Sequence, residues 1–457
     1  MKLRKIFILL TTLMVLPSCE FNWFKKKLNL NQLTTPKVKK IVRENYFDMS
    51  LSTYNSYTSF ARKFTSLMMD VNNKNTEKSL GISIPDAYLC LAICGAISDD
   101  AARSDVLSYL ELSSMDELRT SVTEIVKTLA TLNENSDGKK VGGYNLNSVW
   151  FNPNKVELLK EKDEQLYKDL EEVFDASLFM EALTSKKAND YIKYNGLKEM
   201  PAPEIKLDDV DPVAINVMSV YYCLDYFLAE KKQTYKQEYK SRSHKMDYYF
   251  NNNTSKVDYI GSYNQSVVYE NDKFMGSSMN IHTLNMSFFL PNEKTALPSS
   301  IMEDVLSENY STKEYTMLDF ENREVHTTTY NVSINAPYFS LDNQASLDWD
   351  NLSKILPVIT EKGAGERIAK AFDGHMYLDY IKQFSVMKFN YDGFYSCSAT
   401  IAGMKNESAG WFPDYQDFKL ILDHPYIFEV NKNIRVNNNF KNVPIVIGEI
   451  VTPEYKD

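Results

Sequence analysis

Histidine and cysteine are both scarce, five of each in 457 residues, and the shortage removes several kinds of chemistry. His244, His282, His326, His375 and His424 are scattered without the spacing that ligates a metal. No Gly-x-Ser-x-Gly, His-Glu-x-x-His or phosphate-binding loop occurs, so a nucleophile elbow, a zinc-protease helix and a nucleotide site all lack their residues. Gly363-Ala364-Gly365 follows a helix pattern, not a strand, and reads as a turn. Asp208, Asp209 and Asp211 lack the register of oxygen ligands that calcium needs and read as a solvated turn. Five cysteines do not make a disulfide framework. Cys90 and Cys94, four apart in an apolar helix with no second ligand pair, read as buried thiols, as does Cys223 in an apolar strand. No Pro-, Gly- and Ser-rich stretch divides the chain, and it shows no internal repeat. Together these absences predict a protein that is not an enzyme and holds no metal or cofactor.

Basic residues are dispersed over a chain of net charge −10, which excludes nucleic acid as a partner. Three cations in residues 1–5 precede an apolar run at 6–16, too short to span a bilayer as a permanent helix, so this stretch reads as an export signal. Leu16-Pro17-Ser18-Cys19 resembles the lipobox of bacterial lipoproteins. That resemblance implies removal of residues 1–18, lipidation of Cys19 and anchoring by membrane lipid at a bacterial cell surface or in the periplasm. An ordinary signal cut elsewhere is the alternative. Residues 19–45, with Lys25-Lys26-Lys27 and Pro36 but no sustained apolar period, read as a lipidated flexible tether.

From residue 46 onwards the patterns are those of one large domain. Tyr57, Phe60, Ala61, Phe64, Leu67, Met68 and Val71 form one stripe on a helix over 54–71. Residues 86–97 are apolar nearly all round, which predicts a helix buried on every side. Ser114 and Glu117 form a capping box that opens a third helix. Strand patterns follow at 144–152, around Trp150, and at 176–182, with helices at 155–173 and 185–194. Residues 213–223 form a strand that is apolar on both faces, hence central in a sheet. Later segments are mostly strand-like, at 264–271, 279–290, 329–341, 380–391, 418–430 and 443–451, with helices near 299–307 and 350–356. Helices first and strands later give an α+β class.

The last third carries a resemblance. Residues 383–393, from Gln383-Phe384-Ser385 to Tyr391-Asp392-Gly393, are similar to the strand and hinge that lead into the serpin reactive loop. Asp423-His424-Pro425-Tyr426-Ile427-Phe428 resembles the family's Arg-Pro-Phe-hydrophobic-Phe strand, with His424 at the arginine position. Residues 445–453 resemble its closing strand, with Gly448 and Pro453 in register. Earlier pieces fall in the same order: Asn147-Ser148-Val149-Trp150, Asn189-Asp190-Tyr191-Ile192, Ser278-Met279 with Phe289-Leu290-Pro291, and Ala336-Pro337-Tyr338-Phe339. The likeness covers residues 46–457. It departs at Ser219-Val220-Tyr221-Tyr222-Cys223, at Ser83-Ile84-Pro85, and at Gln383, which stands where a sheet-opening histidine is common.

A serpin fold implies about nine helices packed on a large central mixed sheet, with two smaller sheets and an exposed reactive loop. The implied function is inhibition of serine or cysteine endopeptidases. The protease cleaves the loop as an acyl-enzyme, and the freed part enters the main sheet as a new strand. The partner is then a secreted serine protease, with a cysteine protease as the variant, and the inhibitor is a monomer. Gly393 supplies the hinge, and Phe394, Tyr395, Ser396, Cys397, Ser398, Ala399 and Thr400 follow it. The last five are small or suited to a strand, whereas Phe394 and Tyr395 are large for the first residues to enter a packed sheet. Slow insertion would make the loop a substrate, and the alternative is a non-inhibitory surface lipoprotein used for binding or adhesion. Counting from the hinge puts the reactive bond at Glu407-Ser408, with Lys405-Asn406 and Met404-Lys405 as rivals. Cys397 reads as a small inserting residue or as an exposed thiol able to pair with a cysteine protease.

Overall fold

The structure, a computed structural model, describes residues 30, 32–33, 48–75, 78–130, 135–136, 139–154, 157–158, 164–194, 213–224, 235–242, 249–281, 284–318, 323–361, 372–373, 378–379, 381–390, 393–396 and 415–453. Eight helices occur among them: α1 (Leu51–Asn75), α2 (Ile84–Ile97), α3 (Asp100–Tyr109), α4 (Met115–Ala130), α5 (Glu164–Glu172), α6 (Ser185–Tyr194), α7 (Ser299–Leu306) and α8 (Trp349–Ile355). The stripe of α1 is buried as its period requires, and Ser50 caps it by accepting from Thr53 N at 3.2 Å. α2 carries Pro85 in its first turn and is buried around almost its whole circumference. Within it, contact with Cys90 and burial hold the Cys94 thiol well above its ordinary range. At α4 the capping box forms one residue out of reciprocity. Glu117 N donates to Ser114 Oγ at 3.2 Å, but the Glu117 carboxylate accepts from Ser113 N at 2.7 Å.

Several boundaries differ from the sequence pattern, each for a local reason. The helix expected at 155–173 begins only at Glu164, because Glu157–Leu158 pairs with Phe372–Asp373. α3 had no expected counterpart; it is capped by Asp99, whose carboxylate accepts from Ala102 N at 2.9 Å. The single strand read at 279–290 is parts of two strands of a hairpin, Phe274–Ile281 and Leu284–Pro291, whose eight pairs bury both. The run at 329–341 is divided at Tyr338 between two sheets. That at 418–430 is interrupted by Asp423-His424-Pro425, where proline cannot donate to a ladder.

The strands that frame the architecture are β1 (Leu80–Ser83), β2 (Lys139–Phe151), β3 (Ala176–Phe179), β4 (Val213–Leu224), β5 (Tyr249–Glu270), β6 (Phe274–Ile281), β7 (Leu284–Pro291), β8 (Thr329–Pro337), β9 (Phe339–Leu347), β10 (Ile381–Asn390), β11 (Gly393–Ser396), β12 (Asp417–Ile421), β13 (Tyr426–Val436) and β14 (Asn439–Ile450). A seven-stranded sheet runs β9-β10-β11-β4-β2, with β3 and the short strand Asn135–Ser136 beside β2. An eleven-stranded sheet runs β1-β14-β13-β7-β6-β5-β8-β12, with Asp48–Met49 beside β13 and with Ser311–Thr312 and Tyr235–Arg242 beside β5. The 22-residue β5 pairs with β6 over three residues, 268–270, and with β8 over nine, 259–267, so these strands form one continuous sheet, and two smaller two-stranded sheets pair Tyr315–Leu318 with Glu324–Thr327 and Glu157–Leu158 with Phe372–Asp373. The core lies between the two sheets and under the helices. Phe339 from one sheet stacks on Phe389 and tilts against Phe428 from the other, with ring centroids 5.6 and 5.0 Å apart. A Cβ at Gly81 of β1 would lie 2.4 Å from Met387 Sδ of β10, so the sheets meet closely at this point.

Candidate functional site

β11 is a four-residue wedge. It pairs antiparallel with β10 on one side, Ser396 opposite Met387 and Gly393 opposite Asn390. On the other side it pairs antiparallel with β4, Ser396 opposite Tyr221 and Gly393 opposite Leu224. β10 and β4 therefore run parallel to each other and are held apart at one end by a single inserted strand. Among the described residues no pairing joins β10 to β4 beyond the wedge, along 381–386 of one and 213–220 of the other. Their outer edges are fully engaged, β10 with β9 from Ile381 to Phe389 and β4 with β2 from Val213 to Cys223. The result is a fork whose two prongs present facing rows of backbone donors and acceptors.

Gln383 stands on the open part of β10 and is buried. Its Oε1 accepts from Ser83 N at 3.1 Å and its Nε2 donates to Ser83 O at 2.7 Å. Ser83 ends β1 and is the N-cap of α2, so one side-chain amide ties the fork to the other sheet and to the buried helix. The sequence marked Gln383 only as a departure from a histidine. Its two-point grip on a main chain 300 residues away has no local signal.

The opposite block is covered by α6. Tyr191 OH donates to Asn147 O of β2 at 3.3 Å and lies 3.0 Å from Ser177 Oγ of β3. Beneath it Trp150 stacks on Phe179 with centroids 4.1 Å apart. Asn147 Nδ2 donates to Phe174 O at 2.6 Å, fixing the turn into β3. The residues quoted for the family likeness around 147–150 and 189–192 thus converge on one contact between helix and sheet.

The chain downstream of the wedge returns in the other sheet: β12 pairs parallel with β8, Asp417 opposite Asn331. Just beyond, the buried His424 links Asp423 Oδ1 at 2.7 Å to Pro291 O at 2.8 Å. The segment between Ser396 and β12 therefore connects the two sheets. Of the loop residues picked out from the sequence, Gly393, Phe394, Tyr395 and Ser396 form β11. Cys397, Ser398, Ala399, Thr400, Met404, Lys405, Asn406, Glu407 and Ser408 lie outside the described residues, as do Cys19 and residues 1–18. Among the described residues there is no group of His, Cys, Asp or Glu that could hold a metal ion, and no helix long and apolar enough to cross a membrane.

No protein-family model matches the sequence, and the comparison with curated proteins found no match. Solved structures are. A serpin of Arabidopsis in its native stressed conformation is 16% identical, with 89% of this chain and 100% of that one covered and a TM-score of 0.63. The thermophilic serpin Tengpin in its native state is 16% identical, covering 93% and 100%, with a TM-score of 0.58. Human thyroxine-binding globulin complexed with thyroxine is 11% identical, covering 88% and 100%, with a TM-score of 0.60. Likeness of this extent, together with a wedge strand that splits one sheet and a segment that then crosses to the other, establishes that the chain has the serpin fold.

Proposed function

We propose that the protein is an inhibitor of serine endopeptidases that works by loop cleavage and strand insertion, exported and anchored to lipid through Cys19. The observation that carries this reading is the fork: the hinge glycine and the three residues after it are paired on both sides, and the prongs beyond them face each other without pairing among the described residues. A strand entering there satisfies both rows of backbone groups at once, which makes insertion downhill. The uncleaved loop is tethered at both ends, so the open form is held kinetically.

The wedge also bears on the two aromatic residues. The backbone of Phe394 and Tyr395 is already within the ladder, so neither has to be driven into the sheet after cleavage. The residues that follow are Cys397, Ser398, Ala399 and Thr400, all small enough to pass between two strands. In the proposed reaction the protease's serine attacks the carbonyl of Glu407, the bond to Ser408 breaks, and the new amino terminus leaves with the proton. Lys405-Asn406 and Met404-Lys405 are the rival bonds. The protein acts as a monomer at a bacterial surface or in the periplasm, and a cysteine protease is the variant target.

A binding scaffold without inhibition is the second reading. It is favoured by the presence of thyroxine-binding globulin among the structures that share this fold. Incubation with glutamate-specific, trypsin-like and elastase-like proteases separates the two. Inhibition gives a covalent complex that survives boiling in detergent. Cleavage between residues 396 and 415 by every protease with no such complex refutes inhibition.

A further inference from the structure

β3 is the short edge strand of the seven-stranded sheet, and its outer side is occupied by part of the stretch read from sequence as a free tether. Gln32 forms an antiparallel bridge with Phe179, and Leu33 N donates to Leu178 O at 2.7 Å. Gln32 Nε2 donates to Ser177 Oγ at 3.3 Å, the same hydroxyl that Tyr191 of α6 approaches at 3.0 Å. Leu30 packs against a small apolar cluster of Trp150, Phe179, Leu183, Ala188 and Tyr191, separate from the main core. The contact thus has the three parts of strand addition: main-chain pairing, one apolar side chain in a recess, and one polar side chain reading a buried hydroxyl.

The position gives this contact a mechanical meaning. β2 and β4 share eleven pairs and β2 and β3 four, so the three strands move as one block. β9 and β10 share nine pairs and form the other. Admitting a full strand at the fork moves the blocks apart by roughly one strand spacing, about 4.8 Å. The first block then has to shift beneath α6, whose Tyr191 grips β2 and β3. Leu30 lies against Tyr191 and Ala188 of α6 and Phe179 of β3, and Gln32 bonds the Ser177 hydroxyl beside Tyr191.

We infer that the outer edge of β3 with the recess under α6 is a docking site for an extended peptide, filled in cis by Leu30, Gln32 and Leu33, and that this strap restrains the parting of the fork. The inference concerns the restraint on the sheet that the inhibitor reading uses, but its readout does not need a protease.

The test uses the full mature chain with two independent variants. Leu30→Asp removes the apolar contact, and Leu33→Pro removes the donor to Leu178 O. Amide hydrogen exchange is followed in 176–179, which report the seat, and in 213–220 and 381–386, which report the fork. Both variants are expected to speed exchange at the seat and at the fork by roughly tenfold, while α4 and β14 stay unchanged. A synthetic peptide of residues 28–35 added to Leu33→Pro protein is expected to restore slow exchange at both places. Unchanged exchange at 176–179 in both variants overturns the docking site. Faster exchange there with an unchanged fork overturns the restraint. A protein that forms no covalent complex with proteases but shows the expected exchange pattern retains the strap and loses the inhibitor reading.

Discussion

Cleaving the loop beyond residue 404 and before residue 415, with no residue changed, is predicted to raise the melting temperature. The gain follows from the register. Ser396 stands opposite Met387 and Tyr221, so continued without a bulge residue 402 reaches Ile381 and residue 404 reaches Val213. Insertion therefore supplies partners to six positions of β10 and eight of β4. At a net contribution of about 0.5–1.5 kcal/mol for each ladder hydrogen bond, the cleaved form is more stable by about 10 kcal/mol. Unfolding entropy of about 2 cal/mol/K per residue over a domain of this length converts that to a rise of roughly 10 °C. Calorimetry or circular dichroism of intact and nicked protein, with the two fragments kept together, measures it. A nicked protein that melts at or below the intact one refutes both the insertion and the reasoning from register.

Three further expectations rest on single residues. Gln383→Ala leaves the buried N–H and C=O of Ser83 without their side-chain partners and is expected to lower stability of the intact form by about 2–4 kcal/mol in urea titration; a loss under about 0.5 kcal/mol would show that the clamp matters little. Thr400 would stand opposite Gln383 and Val217 in the inserted strand, so Thr400→Arg buries an unpaired charge midway along the slot. We predict that this variant is cleaved normally while its yield of covalent complex falls on the order of tenfold, and an unchanged yield would mean that insertion does not pass this point. Burial, opposed by a hydrogen bond from Asn431 and aided by Glu308, pushes the Glu429 carboxyl up to about 7 from its ordinary 4.5. The folded pKa is raised, so this stability is fully present below 4.5 and is lost as pH rises to about 7, amounting to about 3 kcal/mol. Glu429→Gln should remove that part of the pH dependence and stabilise the protein at pH 8, as urea titrations at pH 5 and 8 would show.

Much of the fold was legible because it is written in short periods. The stripe from Tyr57 to Val71, the all-round apolar 86–97 and the alternation around Trp150 each declare an element within some twenty residues. Where two strands followed closely, as at 279–290 and 329–341, the pattern did not show the break, since apolar alternation is the same on either side of a tight turn. The helix α3 was missed for the opposite reason: its Asp99 cap is clear, but only Ala102, Val106 and Leu107 of it are buried.

By itself the sequence determined the α+β class and the helix at 86–97 that is buried on nearly every side, because these depend on apolar period along one stretch of chain. The tertiary structure alone decided that Gly393–Ser396 lies between strands that begin at Val213 and Ile381. It alone decided that Gln383 grips Ser83, and that Leu30, Gln32 and Leu33 close the edge of β3. Each of these joins segments that lie far apart in the chain, and such pairings are chosen by which unpaired backbone edges and apolar recesses the packed elements leave open, a property no single segment carries.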